Sequence, residues 1–303
     1  MFSLEEIIKE VKTELQAVAT DDVIIRREIV RKIVEKASDL LSVGVNIIPV
    51  VQFDNLDIQW EVPGEISGSY PVAPGASPGA AGAVTWSNKV QLSLQKYMCE
   101  VIIYDESVIR GLNDLQTRWS LRRAAEDKAK KKDYNILSAL HSGAGQTVAA
   151  TATWDNANAT PETDITEAIG KILDNSNISE NEIQNIHVVV PTKVWSVLLK
   201  LQSIHNIQQT LRDYFEKSYG IRFWPSRSTA IGNDALVVVK SEQTAVHGVL
   251  RPAKIPGGAV EEVRLQGIGR KYVITDYFNT VVIPDTAGGS TSSRICKITG
   301  VKS

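Results

Sequence analysis

The sequence predicts an α+β fold, with helical and strand-forming stretches grouped in blocks along the chain. Three observations predict it. Apolar residues recur at helical spacing near the N-terminus and again after residue 106. Two stretches, 56–62 and 84–94, alternate apolar and polar residues as half-wet strands do. A block beginning at Thr160 mixes short helical stripes with wholly apolar strands.

The bulk properties leave room for this fold. A chain of 303 residues makes one large domain or two ordinary ones, and 43% hydrophobic with 22% charged residues allows a sizeable core. A formal net charge of −2 lacks the basic excess of a dedicated nucleic-acid binder. No apolar run approaches membrane-spanning length, so no membrane partner is expected. Met1–Glu6 lacks the basic-then-apolar pattern of a secretory signal, so the sequons at Asn158 and Asn177 read as chance matches. The two cysteines, Cys99 and Cys296, lie outside any CxxC and are expected as reduced thiols buried in strands.

The N-terminal helices come first. Leu4, Ile7, Ile8, Val11, Leu15 and Val18 form one apolar stripe. Asp21 and Asp22 offer a fresh N-cap, and Ile29, Val30, Ile33, Val34, Ala37, Leu40 and Leu41 continue a second stripe. Gly44 is expected as its C′ stop. These helices either cap their own core or lie as an arm on a neighbouring subunit, and both readings stay open. Ile47–Val51 reads as a short extended piece.

A long hairpin follows, between Asn55 and Lys96. Leu56–Val62 and Val84–Leu94 are its strands, and a Gly-, Pro-, Ala- and Ser-rich run from Pro63 to Gly82 is its tip. An isolated ribbon is marginal in water, while burial of one large apolar side chain contributes about 1.5–3 kcal/mol. Leu56, Ile58, Trp60, Trp86, Val90, Leu92 and Leu94 are therefore expected to pack on an adjacent subunit, with the ribbon projecting from its own.

Tyr97–Ile103 is the next strand. Asp105 or Ser107 can cap a helix whose stripe runs through Val108, Ile109, Leu112, Leu115, Trp119, Ala125, Ala129, Ile136, Leu137 and Leu140, ending at Gly143. That is about 35 residues, or about 50 Å. The charged run from Arg118 to Asp133 reads as its solvated face. Ser142–Asn158 reads as a small-residue linker. Pro161 fits a first helical position ahead of Ile165, Ala168, Ile169 and Ile172. His187–Val190 is a buried strand, and Pro191 opens a helix with Val194, Trp195, Leu198, Leu199 and Leu201. A further helix carrying Leu211, Tyr214 and Phe215 closes at Gly220. Ile221–Pro225 and Ala235–Val239 are strands, the second of central type. Val260–Leu265, Tyr272–Ile274, Asn279–Ile283 and Arg294–Thr299 complete the chain as strands.

No constellation for catalysis, cofactor or metal emerges. Gly75-Ala-Ser77-Pro78-Gly79 matches the G-x-S-x-G elbow, but its flanks are coil, and Pro78 has no N–H to donate to an oxyanion. His141, His187, His205 and His247 show no metal-ligand spacing. Gly143-Ala-Gly145 lacks the third glycine of a dinucleotide fingerprint and follows a helix rather than a strand. The expectation is a non-enzymatic protein. A two-domain hydrolase or transferase with an unrecognised site is the alternative from another class.

The order of helical arm, long hairpin, long helix, α+β block and terminal strands resembles the major capsid proteins of tailed viruses, the Johnson or Hong Kong ninety-seven fold. Asn55–Lys96 resembles that family's extended E-loop. Ser107–Leu140, led in by Val101-Ile-Ile-Tyr-Asp105-Glu106, resembles the spine helix of its peripheral (P) domain. Asn185-Ile-His-Val-Val-Val-Pro191-Thr-Lys-Val-Trp195, Tyr219–Ser226 and Asn233–Val237 resemble parts of its axial (A) domain. The resemblance implies an N-terminal helical arm at 1–54, the E-loop at 55–96, a P domain with spine helix at 97–155, the A domain at 156–247, and P-domain return strands at 248–303. It further implies a virion shell subunit that assembles in a host cytoplasm. Its partners would be its own copies in hexamers and pentamers, scaffold, portal and protease proteins, and non-specifically the packaged double-stranded DNA. Encapsulins, cellular cargo shells of the same fold, are the alternative. Some family members cross-link an E-loop lysine to a neighbour's asparagine. Lys89 and Asn279 occupy comparable places, but no carboxylate matches the family's catalytic glutamate, and both are read as ordinary polar residues.

Overall fold

The computed structural model describes residue 6 and residues 22–63, 86–104, 113–176, 178, 180–204, 207–285 and 289–303. Two mixed five-stranded sheets share one long helix. Strand β13 (Gly269–Val282) is the spine of the first sheet. The inward positions Tyr272, Ile274, Asp276, Phe278 and Thr280 are all buried, so the two strands expected at 272–274 and 279–283 are one. Asp276 and Thr280 hide this continuity from a hydropathy reading, because both are polar yet face the interior. Strand β4 (Gln95–Tyr104) pairs antiparallel with β13 from Gln95 to Tyr104. Strands β12 (Val260–Leu265) and β11 (Ala245–Leu250) pair with successive halves of β13, and β1 (Val50–Phe53) runs parallel to β11.

The second sheet has the order β5-β14-β10-β6-β9, made of Ala144–Ala149, Ser292–Thr299, Ala235–Val239, Ile186–Pro191 and Arg222–Ser226. Its central strands β10 and β6 are buried throughout, as uninterrupted β-branched runs require. Helices α4 (Pro161–Asn175), α5 (Thr192–Leu198) and α6 (Leu211–Tyr219) pack a core of Ile165, Ile172, Val188, Val237 and Phe215. Thr210 caps α6 by accepting from the Asp213 N–H, and Gly220, at φ 73°, ends it as expected. A small hairpin, β7 (Leu201–Ile204) with β8 (Ile207–Thr210), lies between α5 and α6. Leu201 thus starts a strand and does not extend the α5 stripe.

Helix α3 (Asn113–Ser142) is continuous through its charged middle. Residues 105–112 and the caps expected there lie outside the described residues. Its first half packs Leu121, Ala124 and Ala125 against Cys99, Val101 and Tyr272, with Val30, Ile33, Val34 and Ala37 of α1 (Asp22–Leu41) closing the same core. Its second half carries Ile136, Leu137 and Leu140 into a core shared with Val189, Leu236 and Val238 of the second sheet.

Several expectations need correcting. The charged run is only partly solvated: Lys128 is 4% and Lys132 5% exposed. Lys128 pairs with Asp276 of β13 at 2.7 Å, and Lys132 pairs with Asp39 of α1. Trp119 is 60% exposed and lies off the buried stripe, and Leu40 and Leu41 are exposed as well. Gly44 does not cap α1. It begins a single helical turn, α2 (Gly44–Ile47), where a Cβ would come within 2.8 Å of Ile136 Cδ1, so its role is close helix approach. The supposed linker 142–158 contributes β5 and the buried Trp154, whose Nε1–H donates to Asp164 at 2.9 Å. Within 248–303, β12 and β13 lie in the first sheet and β14 pairs with β10 and β5 in the second. The stripe expected at 4–18 lies outside the described residues, Glu6 apart.

Candidate inter-subunit surface

The ribbon is β2 (Asp57–Pro63) paired antiparallel with β3 (Trp86–Ser93), from Asp57↔Ser93 to Pro63↔Trp86. It forms a two-stranded sheet of its own. At its foot, Leu94 N donates to Leu56 O at 2.8 Å and extends the ladder. Further out, Glu61 faces the exposed Lys89 across the strands at 4.0 Å, a weak surface pair.

The apolar side chains divide. Leu92 and Leu94 are buried in this subunit's own core, with Leu250, Ile255 and Ala259. Ile58 and Trp60 pack partly against the same cluster, and the Phe53 and Trp60 rings stack with centroids 6.3 Å apart. Val90 is buried too. This corrects the expectation for Val90, Leu92 and Leu94 as contacts to a neighbour. The ribbon's foot lies down on β11 and β13, so the hydrophobic gain is taken within the chain. Gly248 makes this possible, since a Cβ there would come within 2.5 Å of Leu92 Cδ2. Leu56 is exposed, at 37%, and Ile58 and Trp60 keep part of their surface free. The side chain of Trp86 and the whole tip, including Ser77 and Pro78, lie outside the described residues.

Asn279 is fixed where the foot meets the core. Its Nδ2 donates to Ser93 O at 2.9 Å, while its Oδ1 accepts from Asn135 Nδ2 at 2.9 Å and from Thr280 N at 2.9 Å. Thr280 Oγ1 donates to Asn135 Oδ1 at 2.8 Å, so the 2.8 Å contact with His247 Nδ1 makes that nitrogen the donor. His247 Nε2 is then a buried acceptor without a partner among the described residues. Burial, with Lys132 nearby, pushes the His247 pKa down to about 3 and keeps the ring neutral. The chain of bonds ties β11, α3 and β13 to the end of β3. With both ends of its amide engaged, Asn279 is a structural fastener.

The other titratable candidates are structural as well. His187 is buried in β6, where Nδ1 accepts from Trp224 Nε1 at 2.8 Å, and burial lowers its pKa to about 4. His141 Nε2 lies 2.8 Å from Asp234 Oδ2, and His205 lies outside the described residues. Cys99 and Cys296 are free, buried strand thiols, each pushed up to about 11, chiefly by burial. Among the described residues no group of three His, Cys, Asp or Glu side chains gathers as a metal site.

No protein-family model matches the sequence, and no curated protein matches it either. Solved structures share its fold along most of its length. A virus-like particle protein from Pyrococcus furiosus superposes with a TM-score of 0.60 at 12% identity, covering 90% of this chain and 99% of that one. The chain solved from Mycobacterium phage Che8 gives 0.54 at 14% identity, covering 86% and 92%. The encapsulin of Synechococcus elongatus gives 0.52 at 10% identity, covering 85% and 86%. The chain therefore has the fold of phage-capsid and encapsulin shell subunits.

Proposed function

We propose that this protein is a shell subunit that self-assembles into a closed icosahedral container, most specifically the head shell of a tailed double-stranded DNA virus of the Hong Kong ninety-seven type. The observation that carries this reading is the shared fold with a virus-like particle protein and a phage chain over 90% and 86% of this chain. A ribbon with its own two-stranded sheet, its outer edges unpaired among the described residues, supports it, since such an element gains partners when copies close around symmetry axes. In this reading the first sheet with α3 is the peripheral domain and the second sheet the axial one. Copies form hexamers and pentamers in a virion, with scaffold, portal and protease proteins as further partners and DNA touched non-specifically inside. Leu56, Ile58, Trp60 and Trp86 remain the ribbon residues proposed to touch a neighbour.

The encapsulin reading is kept because an encapsulin superposes about as well as the phage chains do. Expression of the chain alone, followed by electron microscopy and light scattering, tests the shell. Megadalton closed particles are expected, and a monodisperse monomer or small oligomer would overturn the reading. Nuclease-protected DNA in particles from the native source supports the viral form, whereas a packaged protein cargo supports the encapsulin form.

A further inference from the structure

The second sheet carries a cleft that its packing does not use. Strands β6 and β9 are parallel neighbours at the sheet edge, in register from His187↔Arg222 to Pro191↔Ser226. The segments that follow their carboxyl ends, Thr192–Lys193 and Arg227–Thr229, line one cleft, the place where α/β sheets commonly hold a ligand. A cavity of about 180 Å³ lies there. Three cations line it: Lys193, Arg227 and Lys302. No carboxylate lines it, and none of the three is ion-paired among the described residues. The hydroxyls of Thr192, Ser226 and Ser228 share the lining.

The wall is pre-arranged. Ser226 Oγ accepts from Ser228 N at 3.1 Å and Ser228 Oγ from Ala230 N at 3.3 Å, which holds the loop after β9. Gly232, at φ 58°, turns that loop back, and Lys302 N donates to Asn233 O at 3.2 Å, pinning the chain end against it. The acid nearest the cleft in sequence, Asp234, is spent elsewhere. Its Oδ2 contacts His141 and its Oδ1 accepts from Gly300 N at 3.1 Å. The charge imbalance is thus built in, because the loop's own carboxylate is held away from the cations.

We propose that this cleft binds a phosphate group. Three cations exceed what one carboxylate can balance, and a tetrahedral dianion can accept from a guanidinium fork and several hydroxyls at once. Inorganic phosphate and the terminal phosphate of a nucleic-acid strand share that chemistry. The inference does not depend on the shell reading, since binding can be measured on free subunits or on particles.

The test titrates the full chain with inorganic phosphate against chloride at matched ionic strength, by calorimetry and by phosphorus NMR. Saturable binding is expected, weakened at least about tenfold in the Lys193→Gln/Arg227→Gln double variant. Thermal melting in chloride verifies that the variant is folded, and Lys302→Gln is the substitute if it is not. A short oligonucleotide with and without a 5′-phosphate, competed against inorganic phosphate, assigns the source. Competition by the phosphorylated strand alone points to a nucleic-acid end, and competition by neither strand points to the free ion. Binding that does not saturate, or that the folded variants retain in full, overturns the site.

Discussion

At the residue scale, the buried polar groups carry the sharpest consequences. Lys128 and Asp276 form a 2.7 Å pair under α3. Burial is the largest single influence and opposes the lysine's charge, but Asp276, Glu35 and Cys99 together outweigh it, and the net shift of its pKa is upward. Removing one partner of such a pair strands the other charge, so Asp276→Ala should lower unfolding stability by about 3 kcal/mol. The double variant Lys128→Met/Asp276→Leu should recover most of that loss, and urea midpoints of the three chains decide it. The buried histidines set a pH dependence. Both His187 and His247 have folded pKa values depressed from 6.5, to about 4 and about 3, chiefly by burial. Below pH 6.5 the unfolded chain therefore binds more protons than the folded one. Stability is full above that value and falls as pH drops toward the folded values. For His247, sealed on all sides, the loss should be on the order of 2 kcal/mol by about pH 5. Equal urea midpoints at about pH 7 and about pH 5 would contradict this assignment.

At the scale of elements, much was legible because periodicity is a local property. The α4 and α6 helices, the strands β6 and β10, and the continuity of α3 follow from apolar spacing with Pro161 and Gly220 as punctuation. What stayed hidden depends on pairing across the fold. Lys128 and Lys132 look like solvated charges until Asp276 and Asp39 arrive from distant segments. The strand in 144–149 is too small and polar to stand out, and only β14 beside it gives it a ladder. The ribbon's apolar face is legible in the sequence, but its partner is not. That partner is Leu250, Ile255 and Ala259 of the same chain, reached through the gap at Gly248. The fit makes a prediction. Gly248→Ala puts a methyl where Leu92 Cδ2 lies and should destabilise by about 1–3 kcal/mol through overpacking. Leu92→Ala alone should cost about 2–5 kcal/mol. Together the two changes should cost clearly less than their sum, because the smaller residue at 92 vacates the space that the new methyl needs. A strictly additive double variant in thermal melts would show that the two sites do not meet.

At the scale of the whole molecule, the ribbon's division of labour decides how assembly is to be tested. Its foot is held by this subunit's own core and by the Asn279 bonds. Beyond Glu61 and Lys89 the ladder continues to Pro63↔Trp86, and among the described residues neither strand pairs with another sheet. An element whose foot is buried at home and whose strands, among the described residues, pair with no other sheet fits a contact made between copies. Deleting Val62–Val84 removes the end of β2 and the Gly/Pro-rich run while leaving β3 and Ile58, Trp60, Val90, Leu92 and Leu94 in place. The truncated chain should melt within about 1 kcal/mol of the full one, since the core contacts of Ile58, Trp60, Leu92 and Leu94 are kept. It should also stay soluble and fail to form closed particles by electron microscopy. A truncated chain that assembles as readily as the full one would remove the ribbon from the assembly mechanism. One that no longer folds would mean that the tip serves its own subunit after all.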